Sequence, residues 1–259
     1  MAKFGPMESK EYIPAADILE ALKQQRNEEQ CQVLCRFFKT GPGEYGEGDQ
    51  FLGLKVPQTR TIVKQVRLKV PMPEIEKLLY SPWHEARLCG LLLLVEEMAA
   101  ALPRKKDDPL AGAAKRKEIV DFYLKHARQS NNWDLVDLSC EYILGEWLLY
   151  ESAEKADILD RLAESDNLWV QRIAIVTTLR LIRANRFDET IRISKKLLNH
   201  PHDLIHKAVG WMLREMGKRD PDLLRRFLAE NYPQLPRTTL RYAIEKFTPS
   251  ERQRWLNRQ

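Results

Sequence analysis

The sequence predicts an all-α fold, a superhelical solenoid of antiparallel helix pairs that presents a concave basic groove. Three observations predict it. Apolar residues recur at i, i+3, i+4 and i+7 in segments such as 170–183 and 204–218, the spacing of an amphipathic helix. The period-two alternation of a half-buried strand is absent from the pattern. Finally, a unit of 35 residues repeats along the chain.

The repeat is visible in three turns that each lead into a helix. They are Ser130-Asn-Asn-Trp-Asp-Leu-Val-Asp137, Ser165-Asp-Asn-Leu-Trp-Val-Gln-Arg172 and His200-Pro-His-Asp-Leu-Ile-His-Lys207. A charged residue closes each one, at 137, 172 and 207, and Leu162 and Leu197 keep the same step in the preceding helices. An earlier unit, Ser81-Pro-Trp-His-Glu-Ala-Arg87, is similar but one residue shorter. A period of this length built from two helices is that of a HEAT-like or TPR-like solenoid, because one helix pair cannot bury its apolar face alone. The expectation is therefore a single HEAT-like repeat domain over residues 1–259. Within it, residues 1–14 read as a flexible tail and 104–117 as a charged inter-helix linker. Residues 40–50 read as a Gly-rich loop, since four glycines and a proline do not sustain a helix. The glycines 41, 43 and 46 spell GxGxxG, but no strand precedes them and Glu44 and Glu47 would repel a phosphate.

Of the 259 residues 44% are apolar, enough for a sizeable core. No apolar run approaches the ~18 residues of a membrane span, and the N-terminus lacks the apolar stretch of a secretory signal. Cys31, Cys35, Cys89 and Cys140 fall inside helical patterns without paired spacing, so they read as buried thiols rather than as a disulfide frame or a zinc site. These features point to a cytoplasmic protein with no membrane partner.

The formal net charge of +5 hides an asymmetry. Residues 172–259 carry 19 Lys and Arg against 9 Asp and Glu, a net of +10, whereas residues 1–171 carry 23 against 28, a net of −5. A basic half suggests a polyanionic partner, a solvated basic surface being the plainer reading. Equivalent positions of stacked repeats share a face, so Arg87, Asp137, Arg172 and Lys207 are expected in one row along the concave surface. Three cations suit a phosphate backbone. The acid is the exception: either Asp137 pairs with Arg172 across adjacent repeats, or it has a chemical purpose. The neighbouring Asp134 reads as a first-turn acid favoured by the helix dipole.

Two tryptophans sharpen the second option. Trp133 lies four residues before Asp137 and Trp211 four after Lys207, each on one helical face with its charged neighbour. Trp83, Trp147, Trp169 and Trp255 read as core. Arg214 and Lys218 continue the Lys207 face. Arg183, Lys195, Lys196, Arg225, Arg226, Arg237 and Arg241 could extend a phosphate track. His200, His202 and His206 form no HExxH, so no metal is expected.

At these residues the sequence resembles the bacterial DNA alkylation repair family, the AlkD-type alkylpurine DNA glycosylases. The matching segments are 131–137, 166–172 and 206–215, with Phe37-Phe-Lys-Thr-Gly-Pro-Gly-Glu-Tyr-Gly-Glu-Gly-Asp49 and Phe51-Leu-Gly53 near the N-terminus. The resemblance implies a stack of HEAT-like repeats holding duplex DNA. It implies cleavage of the N-glycosidic bond of N3- or N7-alkylated purines without metal or other cofactor, and without the base flipping usual for glycosylases. It places the catalytic carboxylate on Asp137, aromatic walls on Trp133 and Trp211, and the active-site arginine on Arg172. An aromatic surface of the N-terminal helix falls on Phe37 or Phe38, and Phe37 joins Arg87, Lys207, Arg214, Lys218 and Arg183 as a DNA contact. The chemistry agrees with the residues. A cationic base leaves without a protein acid, so one carboxylate suffices to stabilise an oxocarbenium-like sugar. The expectation is thus a monomeric, nucleoid-associated repair hydrolase acting on alkylated duplex DNA. Its rivals are a non-catalytic binder of damaged or branched DNA and a HEAT-type protein scaffold.

Overall fold

The computed structural model describes residues 12–104, 106–108, 110–150, 155 and 157–258. Among them the only extended pairing is an isolated bridge between Gln50 and Trp83; the rest is helix, turn and loop. The chain divides into two compact units, Met1–Ser139 and Cys140–Gln259.

The first unit contains α1 (Ala15–Lys23), α2 (Glu28–Phe37), α3 (Val56–Val66), α4 (Met72–Leu79), α5 (His84–Ala101), α6 (Ala113–Lys125) and α7 (Trp133–Asp137). Its axis is α5, which packs against α1, α3, α4, α6 and α7. The reason is compositional. Leu88, Leu91, Leu92, Leu93 and Leu94 surround that helix on nearly every side, and all are buried. A helix apolar all round has to sit inside. α6 begins at Ala113, so it takes in the last five residues of the expected linker. Of the expected tail, residues 1–11 lie outside the described residues. Ile13 is buried and donates its N–H to the Lys69 carbonyl at 2.9 Å, so it is held in place.

The second unit contains α8 (Glu146–Leu149), α9 (Ile158–Ala163), α10 (Leu168–Arg183), α11 (Asp188–Leu197), α12 (Asp203–Gly217), α13 (Pro221–Asn231), α14 (Arg237–Ala243) and α15 (Pro249–Leu256). Here α9 packs on α10, α10 on α11 and α12, and α12 on α13 and α14. α11 shows the sorting at work. Thr190, Ile193, Ser194 and Leu197 turn inward while Arg192, Lys195 and Lys196 form ion pairs outside. Gly210 allows the closest approach. A Cβ there would stand 2.5 Å from Tyr242 Cβ and 2.7 Å from the Thr239 carbonyl, so α14 could not lie where it does.

The 35-residue register is real. α7, α10 and α12 start at 133, 168 and 203, and α14 follows at 237, one residue short of the step. Each of the first three carries a capping side chain one residue earlier. Asn132 accepts from Trp133 N, Asn167 from Trp169 N and Val170 N, and His202, through Nδ1, from Leu204 N. Capping of this kind satisfies N–H groups the helix leaves open, and each cap contributes about 1 kcal/mol. The repeated polar turn in the sequence is this repeated cap.

One member departs from the series. After α7 closes at Asp137, the chain turns through Leu138 and Ser139 and resumes as a π-helical turn, Glu141–Gly145, before α8. Ser139 Oγ donates to the Leu135 carbonyl at 2.6 Å, and a hydroxyl bonded back onto the preceding turn bends a helix. Interruptions of this type concentrate at functional sites. No helix of the described residues is long and apolar enough to cross a membrane.

Candidate active site

Asn132 sets where α7 begins, and so places Trp133 on its first turn and Asp137 one turn later on the same face. Both side chains are half-buried. Trp133 belongs to an aromatic cluster that sequence spacing alone does not show. Its ring stacks on Phe38 at 5.1 Å and meets Phe37 edge-on at 5.7 Å. Phe38 in turn stacks on Phe51 at 5.2 Å. Phe38 is buried, whereas Phe37 is 60% exposed, so it offers a ring face to solvent beside Trp133. These rings, with Leu54, Val56 and Leu88, wall a crevice of about 390 Å³ that Asp137 borders.

Behind the rings lies a buried charge network. The His84 ring sits between Asp49 and Asp134, with Nδ1 2.7 Å from Asp49 Oδ2 and Nε2 2.9 Å from Asp134 Oδ2. Arg87 Nη2 donates to the other Asp49 oxygen at 2.5 Å, and its Nη1 donates to the carbonyls of Ser81 and Pro82. Burial works against charge on His84, but Asp134 and Asp49 outweigh it and raise the imidazole to about 9. Burial likewise opposes charge on Asp49, yet His84 and Arg87 hold its carboxyl below the usual range. Next to them, Glu85 accepts N–H bonds from Leu52, Gly53 and Leu54 at 2.8–3.1 Å. That grip fixes the strand-like segment carrying Phe51, and Gly53 permits its turn at φ +89°.

Two sequence expectations change here. Arg87 is 4% exposed and its guanidinium is spent on Asp49 and two carbonyls, so it is not a phosphate contact. Its place in the 35-residue row failed because the loop of residues 40–50 brings Asp49 over it. Asp134 is a first-turn acid, but it is also the buried partner of His84. His84, Asp49 and Glu85 were not singled out from the sequence. The only signal was a loop acid and a His-Glu pair at a helix start, and their meeting is a long-range contact.

The other candidates lie in the second unit. Arg172 is buried on α10, with Nη1 donating to the Leu204 carbonyl at 2.7 Å. Lys207 lies 2.9 Å from Asp203, one turn earlier on α12, and Trp211 is half-buried one turn later. Arg214 pairs with Glu245 and Glu215, Lys218 with Glu215, and Arg183 with Glu141. The Lys207 and Lys218 pairs lie at the surface, where such pairs are worth ~0–1 kcal/mol, little enough for a phosphate to displace, whereas Glu141, the partner of Arg183, is buried. His200 and His206 are spent on Gln171 and a backbone carbonyl and His202 on its cap; no group of three metal-ligating side chains gathers among the described residues.

Capped helix pairs on a 35-residue register, carrying an acid and a tryptophan beside an aromatic crevice, define a helical repeat protein of the α-solenoid class. The chain belongs to the DNA alkylation repair enzyme family, whose model matches residues 18–247. Among solved structures it is similar to one described as a predicted DNA alkylation repair enzyme from Enterococcus faecalis. The TM-score is 0.65 at 19% identity, over 87% of this chain and 98% of that one, a likeness of fold. No curated protein sequence matches the chain.

Proposed function

We propose that the protein is a DNA glycosylase that hydrolyses the N-glycosidic bond of positively charged N3- and N7-alkylpurines in duplex DNA. The observation that carries this reading is the pairing of Asp137 with Trp133 on one face of α7, at the border of an aromatic crevice. Membership of the family supplies the DNA and the alkylation damage.

The chemistry follows from the charge of the lesion. Alkylation leaves the purine cationic, so the bond to C1′ breaks with its electron pair going to a base that departs neutral. No acid is needed for that step. Positive charge then develops on the sugar, and Asp137 stabilises it and orients the water that adds at C1′. The water's second proton passes to the carboxylate or to solvent, leaving an abasic site and a free base. Trp133 presents a ring to the cationic lesion, a contribution of about 0.5–2 kcal/mol. The exposed Phe37 ring lies against the duplex beside it. In the second unit, Trp211 offers a further aromatic face to the DNA. There Lys207, Arg214, Lys218 and Arg183 bind phosphates, which position the duplex without reading sequence, and the buried Arg172 braces α10 against α12 behind them. The protein acts as a monomer, on cytoplasmic nucleoid DNA, with no cofactor.

Incubation with methylated duplex DNA tests this: free 7-methylguanine and 3-methyladenine should appear. Tight, salt-dependent binding without release would instead make the protein a non-catalytic DNA binder, and negligible DNA affinity would leave a protein scaffold.

A further inference from the structure

We propose that His84 is a positioning residue: held between Asp49 and Asp134, its doubly protonated ring sets the placement of α7 and thereby of Trp133 and Asp137. In its link to glycosidic cleavage this inference rests on the reading above. Its structural core does not.

The argument begins with α7 itself. Five residues are too few to hold a helix by backbone bonding, so its orientation must come from tertiary contacts. The first is the hydrogen bond from His84 Nε2 to Asp134 Oδ2, at 2.9 Å. The other oxygen of that carboxylate, Oδ1, is buried without a hydrogen-bond partner, so Asp134 hangs on His84. A second route runs through the rings. Phe51 stacks on the His84 imidazole at 4.5 Å and Phe38 lies across it at 5.0 Å, and Phe38 stacks on Trp133. Both routes start from one side chain and end on the two residues that border the crevice.

The bracket depends on the charge state of the ring. A neutral imidazole has one N–H, so it can donate to Asp49 or to Asp134 but not to both. Loss of the proton would leave either Asp134 with no donor, or Asp49 Oδ2 facing the ring's lone pair while Arg87 and the Gln50 N–H still hold Oδ1. The charged groups around the ring are Asp49 from the loop, Asp134 and Asp137 from α7, Glu85 and Arg87 from α5, and Lys55 ahead of α3. Glu85 is already saturated by backbone N–H groups and Arg87 by Asp49, so neither can replace the lost donor. The two carboxylates hold the imidazole protonated to about 9, which keeps the bracket closed at neutral pH.

The experiment uses full-length protein labelled with 5-fluorotryptophan, with the Trp133 signal assigned through Trp133→Phe. It is titrated from about pH 6.5 to about pH 10 by fluorine NMR, beside the isosteric variant Asp49→Asn. The Trp133 signal of the wild type should shift with a midpoint near 9. Removing one carboxylate in Asp49→Asn should lower that midpoint by about one unit or more, while the Trp255 signal stays put in both. A Trp133 signal that does not move through this range, or moves equally in Asp49→Asn, overturns the proposal; the wild-type titration decides even if the variant does not fold. A second arm compares single-turnover base release between about pH 6.5 and about pH 8.5. There Asp49→Asn should lose about three-fold more than the wild type at unchanged DNA affinity. Equal loss in both proteins counts against positioning. A wild type that releases no base defeats the glycosylase reading alone, because the fluorine titration still judges the bracket.

Discussion

His84 Nε2 lies 2.9 Å from Asp134 Oδ2, and that hydrogen bond joins the longest helix of the first unit, α5, to its shortest, α7. Both partners are buried, His84 at 2% exposure. Removing Asp134 leaves the buried imidazolium with Asp49 alone and its Nε2–H without an acceptor, at a cost of about 1–3 kcal/mol. Asp134→Ala should therefore lower the urea midpoint sharply at neutral pH. A midpoint within error of the wild type would show the link to be decorative.

The same pair sets an alkaline limit on stability. The folded imidazole titrates at about 9, above the ordinary value of 6.5. Stabilisation from a raised histidine is fully present below about pH 6.5 and lost as pH rises through about 9, a change on the order of 3 kcal/mol. Asp49 acts at the other end: its carboxyl is held low, so its contribution is present above the ordinary carboxylate range and lost on acidification. Urea midpoints should fall toward pH 9.5 in the wild type and stay flat in His84→Gln. Parallel curves for the two proteins would refute this assignment.

The close approach of α12 and α14 makes a separate prediction about the repeat. Gly210→Ala places a methyl 2.5 Å from Tyr242 Cβ, with backbone on its other side, so the helices have to part. Overpacking of this kind costs about 1–3 kcal/mol. Calorimetry should show a lower Tm, and an unchanged one would mean that α14 yields freely.

Phosphate binding is read by salt. Lys207 pairs with Asp203 on its own helix, an exchange a DNA phosphate can win. If Lys207 neutralises one phosphate, Lys207→Ala should reduce the slope of log K against log salt by about 0.9. A slope equal to the wild type's would remove Lys207 from the interface.

How far the sequence revealed this molecule differs between its halves. The 35-residue step was legible because Asn132, Asn167 and His202 cap successive helices, and caps leave local residue patterns. Trp133 and Asp137 on one face was legible for the same reason, being one helical turn apart. Arg87 was misread because a register assumes that equivalent positions meet equivalent surroundings. The loop ending in Asp49 breaks that equivalence by covering the guanidinium. His84, Glu85 and the ring column from Phe51 to Trp133 join residues 13 to 95 positions apart, and no periodicity reports such a meeting. The turn after Asp137 was hidden too, since Ser139 looks like any helical serine until its hydroxyl is seen bonded to Leu135.

The central claim is that Asp137 acts on the sugar of a cationic lesion, and single-turnover release of 7-methylguanine from a duplex with one defined lesion tests it most directly. Asp137→Asn preserves shape and removes the charge. The account predicts a fall in release rate of about 10²–10³-fold, with duplex affinity little changed. Release at the wild-type rate from Asp137→Asn would contradict it.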